Sequence, residues 1–216
     1  MLALILAAAV MGDDPKAKSP KASTELDSTT VKGIQKRLKG KATYIRKTGE
    51  LSIVYDFRTP KQLEDFEFAV KPTLKGRMMV LDTDAFVKLP VKWQSVQINA
   101  TVTSDRMNGP LVKSESGINF RVGAAHPDTL ILEARDKRAS VIVPAPDRDG
   151  YVPVSFEASD RRVAGSWAKS RVGIDGPGAD VGTVELGGGE HTFGWSNITF
   201  KGIVDPKWAK EFATAK

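Results

Sequence analysis

The sequence predicts an all-β fold, an antiparallel β-sandwich of the jelly-roll kind with a short C-terminal helix. Three observations carry this. About a dozen short runs alternate apolar and polar residues, at spacings of roughly ten residues. No long amphipathic helix interrupts them. The chain ends on a proline-initiated helical turn.

In chain order, Met1 to Gly12 is an uncharged apolar run, too short for the ~20 residues that span a bilayer as a helix. It reads as a signal peptide, residues 1–12, with Val10 and Gly12 suited to cleavage before Asp13. Residues 13–41 read as a basic, flexible linker in which Ile34 and Leu38 allow one short helix; contact with an acidic surface is its sharpest reading, a solvated segment the plainer one. The sandwich is expected over 42–205. Ala42 to Phe57 reads as strand, turn and strand, with Leu51, Ile53 and Tyr55 on one face. One helical turn is expected at Lys61 to Phe68, then short strands at Arg77 to Leu81 and Ala85 to Leu89, with breaks at Pro72 and Pro90.

Val91 to Thr103 is the longest β-like stretch. Trp93 sits on one parity and Val96, Ile98, Ala100 and Val102 on the other, which predicts a bulge near Ser95. Ile118 to Val122 and Leu130 to Arg135 alternate as half-buried strands, and Val141 to Val143 is a short strand. Tyr151 to Ser170 reads as a hairpin turning at Ser159 to Arg161. Gly173 to Asp180 is expected to be loop. Val181 to Gly202 is expected to form a second hairpin, with Trp195 in the core and a parity switch that predicts a bulge near Asn197. Residues 206–216 follow as the C-terminal helix and tail.

The formal charge of the 216 residues is +6, but Asp13 to Glu50 holds ten Lys or Arg against five Asp or Glu. The excess therefore sits on the leading segment rather than on a folded face, and this argues against a nucleic-acid partner. With no cysteine, disulfides and thiolate chemistry are excluded. Export is expected, to the periplasm, cell surface or medium, with any membrane contact made through an uncleaved signal segment.

The order YDF, QLEDFE, GINFRVG, VPVSFEASDRRVAGSWAKS, VELGGGEHTFGWSNITF and DPKWAKEF resembles the concanavalin A-like (laminin G-like) jelly roll of exported bacterial proteins. Trp195 and Ser196 stand where that family's closing strand usually has Phe and Asp. The resemblance covers about Thr43 to Phe212. It implies the sandwich fold and a family of carbohydrate-binding modules, laminarinase-type glycosidases and, more distantly, keto-disaccharide hydrolases. The glycosidases carry Glu-x-Asp-x-x-Glu on one strand, where period two places three carboxylates on one face. This chain lacks that motif.

Candidate chemistry is correspondingly sparse. His126 and His191 fall in turns, no Gly-x-Ser-x-Gly elbow is present, and the acidic turns Asp82 to Asp84 and Asp147 to Gly150 complete no calcium loop. The sequence implies no cofactor or metal. For sugar binding, Trp93 and Trp167 are the candidate stacking platforms. Asn119, Arg121, Glu133 and Arg135 offer polar groups on central strands, with Glu157 and Arg162 on what reads as the same polar face. The function that follows is an exported module binding glycans or a surface polymer without catalysis of its own. A glycoside hydrolase-like enzyme with an unfamiliar site is the alternative.

Overall fold

The computed structural model describes residues 25–104, 109–123, 129–143, 150–176, 180–188 and 192–215. Alternation decides the strands. Along β2 (Glu50–Tyr55) Leu51, Ile53 and Tyr55 are buried while Glu50, Ser52 and Val54 are half-buried, as expected of a sheet with one face on a core. With β1 (Lys41–Ile45) it forms the expected hairpin. A 3-10 turn at Pro60–Asp65 and β3 (Glu67–Phe68) follow. Then come β4 (Thr73–Lys75), β5 (Met78–Leu81), β6 (Phe86–Ser104), β7 (Gly109–Ser114), β8 (Ile118–Val122), β9 (Thr129–Ala134) and β10 (Lys137–Ile142). The last strands are β11 (Tyr151–Ala158), β12 (Arg162–Trp167), β13 (Ser170–Asp175), β14 (Gly182–Gly187) and β15 (Phe193–Val204).

The architecture is two antiparallel layers that share β6. Its second half joins a first sheet ordered β1-β2-β15-β6-β11-β12-β13. Its first half joins a second sheet ordered β6-β14-β7-β8-β9-β10, with β3 on its other edge. The core lies between the layers. Phe120 of the second sheet packs on Phe156 of the first, ring centres 6.0 Å apart, and Gly165 leaves the space that the Phe120 ring fills.

Several expectations are corrected. The break at Pro90 is absent, and β6 runs through it for 19 residues. A strand tolerates a proline where the ladder is irregular, and the β14 register shifts between the pairs Val184–Leu89 and Gly182–Trp93. Gly173 to Asp175 belong to β13 rather than to a loop, since Val172 and Ile174 alternate into the core. The expected hairpin at Val181 to Gly202 is not one: β14 pairs with β6 and β7 in one layer, β15 with β2, β5 and β6 in the other. Two runs joined by glycines can cross between layers as well as pair. Both expected bulges are present. The β15–β6 register shifts at Val204–Trp93 and again between Ser196 and Thr199, where Asn197 takes a φ of 50°.

Among the described residues two α-helices complete the fold. Ser28–Arg37 forms α1, with Asp27 accepting from the Thr29 and Thr30 amides. Leu26, Ile34 and Leu38 are buried in the common core, so residues 25–41 are a docked element and not part of a solvated linker; three apolar side chains at i, i+8 and i+12 are enough to hold it. The expected signal peptide, and the linker residues before 25, lie outside the described residues. Pro206–Thr214 forms α2 as expected, capped by Asp205, which accepts from the Trp208 amide at 2.7 Å. A buried carboxylate ties α1 to the sandwich: Asp65 accepts from the amides of Lys39 and Gly40 and from the Tyr55 hydroxyl. Burial beside Asp65 pushes the Tyr55 hydroxyl well above the ordinary tyrosine range.

Candidate functional site: the polar face of the seven-stranded sheet

Register brings polar residues of the first sheet into rows across its solvent face. One row reads Thr43, Ser52, Lys201, Gln97, Glu157, Ala164 and Gly173 from β1 to β13. The next reads Lys41, Val54, Thr199, Asn99, Ser155, Ser166 and Arg171. Above them, Thr101 faces Pro153, and Thr103 faces Tyr151. At ~4.8 Å per strand the face is about 29 Å wide.

A hollow of about 120 Å³ opens in this face, lined by Gln97, Ser155, Glu157, Ala164, Ser166 and Arg171. Its floor is Ala164, which points outward yet is buried because its neighbours are larger. Across it the Ser155 and Ser166 hydroxyls are 2.6 Å apart, and Arg171 donates to Glu157 at 3.4 Å. These are groups that donate and accept hydrogen bonds around a shallow floor. On the same face and four residues back from Ser155, Tyr151 is 60% exposed. The ring stands about 14 Å along the strand from Ser155.

The acids of this face are spread out. Besides Glu157, its described strands carry Glu50 and Asp175. Lys201 holds Glu50 at 3.2 Å and Arg162 holds Asp175 at 3.9 Å, both on lateral strands. Two-carboxylate glycoside hydrolysis needs its pair within about 5–10 Å across a scissile bond. Glu157 has Ala164 and Gly173, not an acid, beside it in its row.

The residues expected from sequence are distributed differently. Trp93 and Trp167 are both 1% exposed and belong to the core, so neither can be a stacking platform; large rings on an inward parity are worth more buried than displayed. Asn119, Arg121 and Glu133 do share a face, but it is the outer face of the second sheet, on the opposite side of the sandwich from Glu157 and Arg162. There Arg121 donates to Glu133 at 3.0 Å and Arg138 approaches the same carboxylate at 3.7 Å. Asn119, Glu133 and Arg138 belong to a cross-strand row, Glu67, Lys88, Glu185, Lys113, Asn119, Glu133 and Arg138, whose charges alternate in sign across seven strands except at the neutral Asn119. Opposite charges on neighbouring strands stabilise a sheet, so this row has a structural use. Arg135 leaves the strand altogether and turns the chain between β9 and β10 with a φ of 56°. His126 and His191 lie outside the described residues.

Sequence reasoning missed Tyr151, Gln97, Asn99, Ser155, Ser166 and Arg171. Tyr151 was legible: in Tyr-Val-Pro-Val-Ser-Phe-Glu-Ala it shares the parity of Ser155 and Glu157, opposite to Val152, Val154 and Phe156.

A second cleft, of about 280 Å³, lies where β6 bends, lined by Lys92, Trp93, Glu115, Ser116, Asp180 and Asp205 among others. Two of its three carboxylates have partners. The Thr183 amide and hydroxyl donate to Glu115 at 3.1 and 3.2 Å, and Asp205 caps α2. The Thr183 amide bond, helped by that hydroxyl and by Lys92 and Lys88, holds the Glu115 carboxyl below the ordinary glutamate range against the opposing effect of burial. No group of three or more potential metal ligands occurs among the described residues.

No family model matches the chain, and no curated protein matches it. Solved structures do. A β-glucanase of Bacillus licheniformis superposes with a TM-score of 0.53 at 6% identity, over 70% of this chain and 97% of that one. A Bacillus subtilis protein of unknown function with a galectin-like fold gives 0.51 at 9% identity, over 70% and 95%. The fold is the concanavalin A-like jelly roll expected from the sequence.

Proposed function

We propose that the chain is an exported binding module that takes up a glycan, or another hydroxyl-rich surface polymer, across the polar face of the seven-stranded sheet, without catalysis of its own. The observation that carries the reading is Tyr151, the one exposed aromatic of that face among the described residues, on the same face as Ser155, Ser166, Asn99, Arg171 and Glu157. A sugar ring offers an apolar face for stacking and hydroxyls that both donate and accept, and this arrangement supplies a partner for each. A β-glucanase with the same fold is compatible with a sugar ligand, while the separation of Glu157 from other carboxylates favours holding over hydrolysis.

The test is a glycan array followed by titration calorimetry on the ligands found. Tyr151→Ala is expected to weaken binding about fivefold, a stacking contribution of ~1 kcal/mol, at unchanged melting temperature because the ring is exposed. Trp93 and Trp167 are core residues and offer no comparable test. Absence of any ligand, or full affinity in Tyr151→Ala and Arg171→Ala, would remove this reading. Reducing-sugar release that depends on Glu157 would replace it with the enzyme alternative.

A further inference from the structure

We infer that the helical layer formed by α1 and α2 is a docking surface for an anionic lipid bilayer. This rests on different residues from the glycan reading and stands or falls separately. The two helices pack on each other: Gly33 lies against Ala213, the Arg37 guanidinium sits 5.0 Å from the Phe212 ring centre, and it donates to the Ala215 carbonyl. Their inward faces are spent on this contact and on the core. What they turn to solvent is lysine: Lys32 and Lys36 at i and i+4 on α1, Lys39 just beyond it, and Lys207 and Lys210 at i and i+3 on α2.

None of these five forms an ion pair among the described residues. All seven described ion pairs lie in the strands and their connections. Of the acids close by, Asp27 and Asp205 are committed to capping the helices, and Glu25, Glu64 and Glu211 are the other exposed ones, three against the five lysines. A cationic surface left unneutralised by its own protein is complementary to an anionic one.

The chain itself selects a bilayer as that surface. The residues preceding α1 include Lys16, Lys18 and Lys21, and ahead of them the apolar run Met1 to Gly12 is the part of the sequence suited to a membrane. Where that run is retained, a polybasic element beside an apolar one is a combination that membranes hold; where it is removed, the lysines preceding α1 extend the cationic surface of the helices. The geometry also makes docking compatible with ligand capture. Gly40, between α1 and β1, lies against Tyr55 and Ile53, core-facing residues of β2. Ile34 and Leu38 of this segment and Ala209 of α2 join the same buried cluster as Ile53 and Tyr55, so the helices pack on the core side of β2 while its polar rows face the other way. A molecule resting on its lysines would hold the Tyr151 face outward.

The test is flotation of the full chain with vesicles of phosphatidylcholine alone and of phosphatidylcholine mixed with phosphatidylglycerol. The expected result is a higher partition onto the anionic vesicles that falls as salt is added. Lys32→Gln/Lys36→Gln/Lys39→Gln/Lys207→Gln/Lys210→Gln should lose that increment, by about fivefold per lysine at low salt. The paired change Lys75→Gln/Lys169→Gln, off the helices, should keep it. Circular dichroism melting checks that the variants fold. Equal partition onto both vesicles, an unchanged increment in the five-lysine variant, or an equal loss in the control pair would overturn the inference. So would retention on a soluble polyanion with no lipid increment, which would assign the patch to a polymer.

Discussion

Gly165 is a point of close approach between the two layers and also the backbone beneath the candidate site. A Cβ added there would lie within 3.0 Å of three carbons of the Phe120 ring. That ring cannot step aside freely: it is fully buried and packed against Phe156. Overpacking a filled core by one methyl group costs about 1–3 kcal/mol, and three simultaneous overlaps with a rigid ring put Gly165→Ala near the upper end, about 3 kcal/mol. For a domain of this size that lowers the melting temperature by roughly 6–12 °C. The cause can be isolated by a double-mutant cycle with Phe120→Leu, which trims the ring and by itself costs about 2 kcal/mol. If the ring is the obstacle, the double variant is more stable than the sum of the two losses predicts, by about 1–3 kcal/mol. Denaturant melts of the four proteins measure this. Strict additivity, or a Gly165→Ala variant as stable as the wild type, would show that Gly165 is not what lets the layers close.

Asp65→Asn should cost about 3 kcal/mol, because a charged acceptor of two amides and a hydroxyl is replaced by a group half of which is itself a donor. Limited proteolysis should then cut within residues 25–41, and resistance equal to wild type would contradict the role given to Asp65. Glu115→Gln should flatten the acid limb of stability. Glu115 titrates lower folded than unfolded, so between those two values the unfolded chain binds more protons. Its contribution is fully present above the unfolded value and is lost as pH falls through the folded one. Denaturation midpoints from neutral to acid pH should fall more steeply in wild type than in the variant, and parallel curves would contradict this.

The fold was legible wherever one face of a strand is buried. In β2, β8, β11 and the second half of β15 the alternation alone assigns every inward residue, and parity breaks located the two bulges. Pairing partners were not legible, because period two fixes a face and not a neighbour. The glycine-linked runs of β14 and β15 therefore read as a hairpin although they lie in different layers. The site failed for the same reason. Asn119 and Glu157 are both outward on their strands, but only the topology reveals that outward from β8 and outward from β11 are opposite directions. The tryptophans were misplaced by residue type, although Trp167 shares its parity with Val163 and Gly165, which are inward.

The bend in β6 connects these points. Before it, Val87, Leu89, Val91 and Trp93 are the buried residues, all odd-numbered; after it, Val96, Ile98, Ala100 and Val102 are, all even-numbered. A strand of 19 residues with unbroken pleat would keep one parity inward throughout, and a slip of one residue exchanges the two faces. With odd residues inward past the bend, Gln97 and Asn99 would enter the core and Ile98 would be exposed. The irregularity at 93–95 therefore does two things at once. It lets one strand serve both layers, and it turns Gln97, Asn99, Thr101 and Thr103 to the face that Ser155, Glu157 and Tyr151 share. The polar face is a consequence of how the chain passes from one sheet to the other, which is why it could not be read from the composition of any single strand.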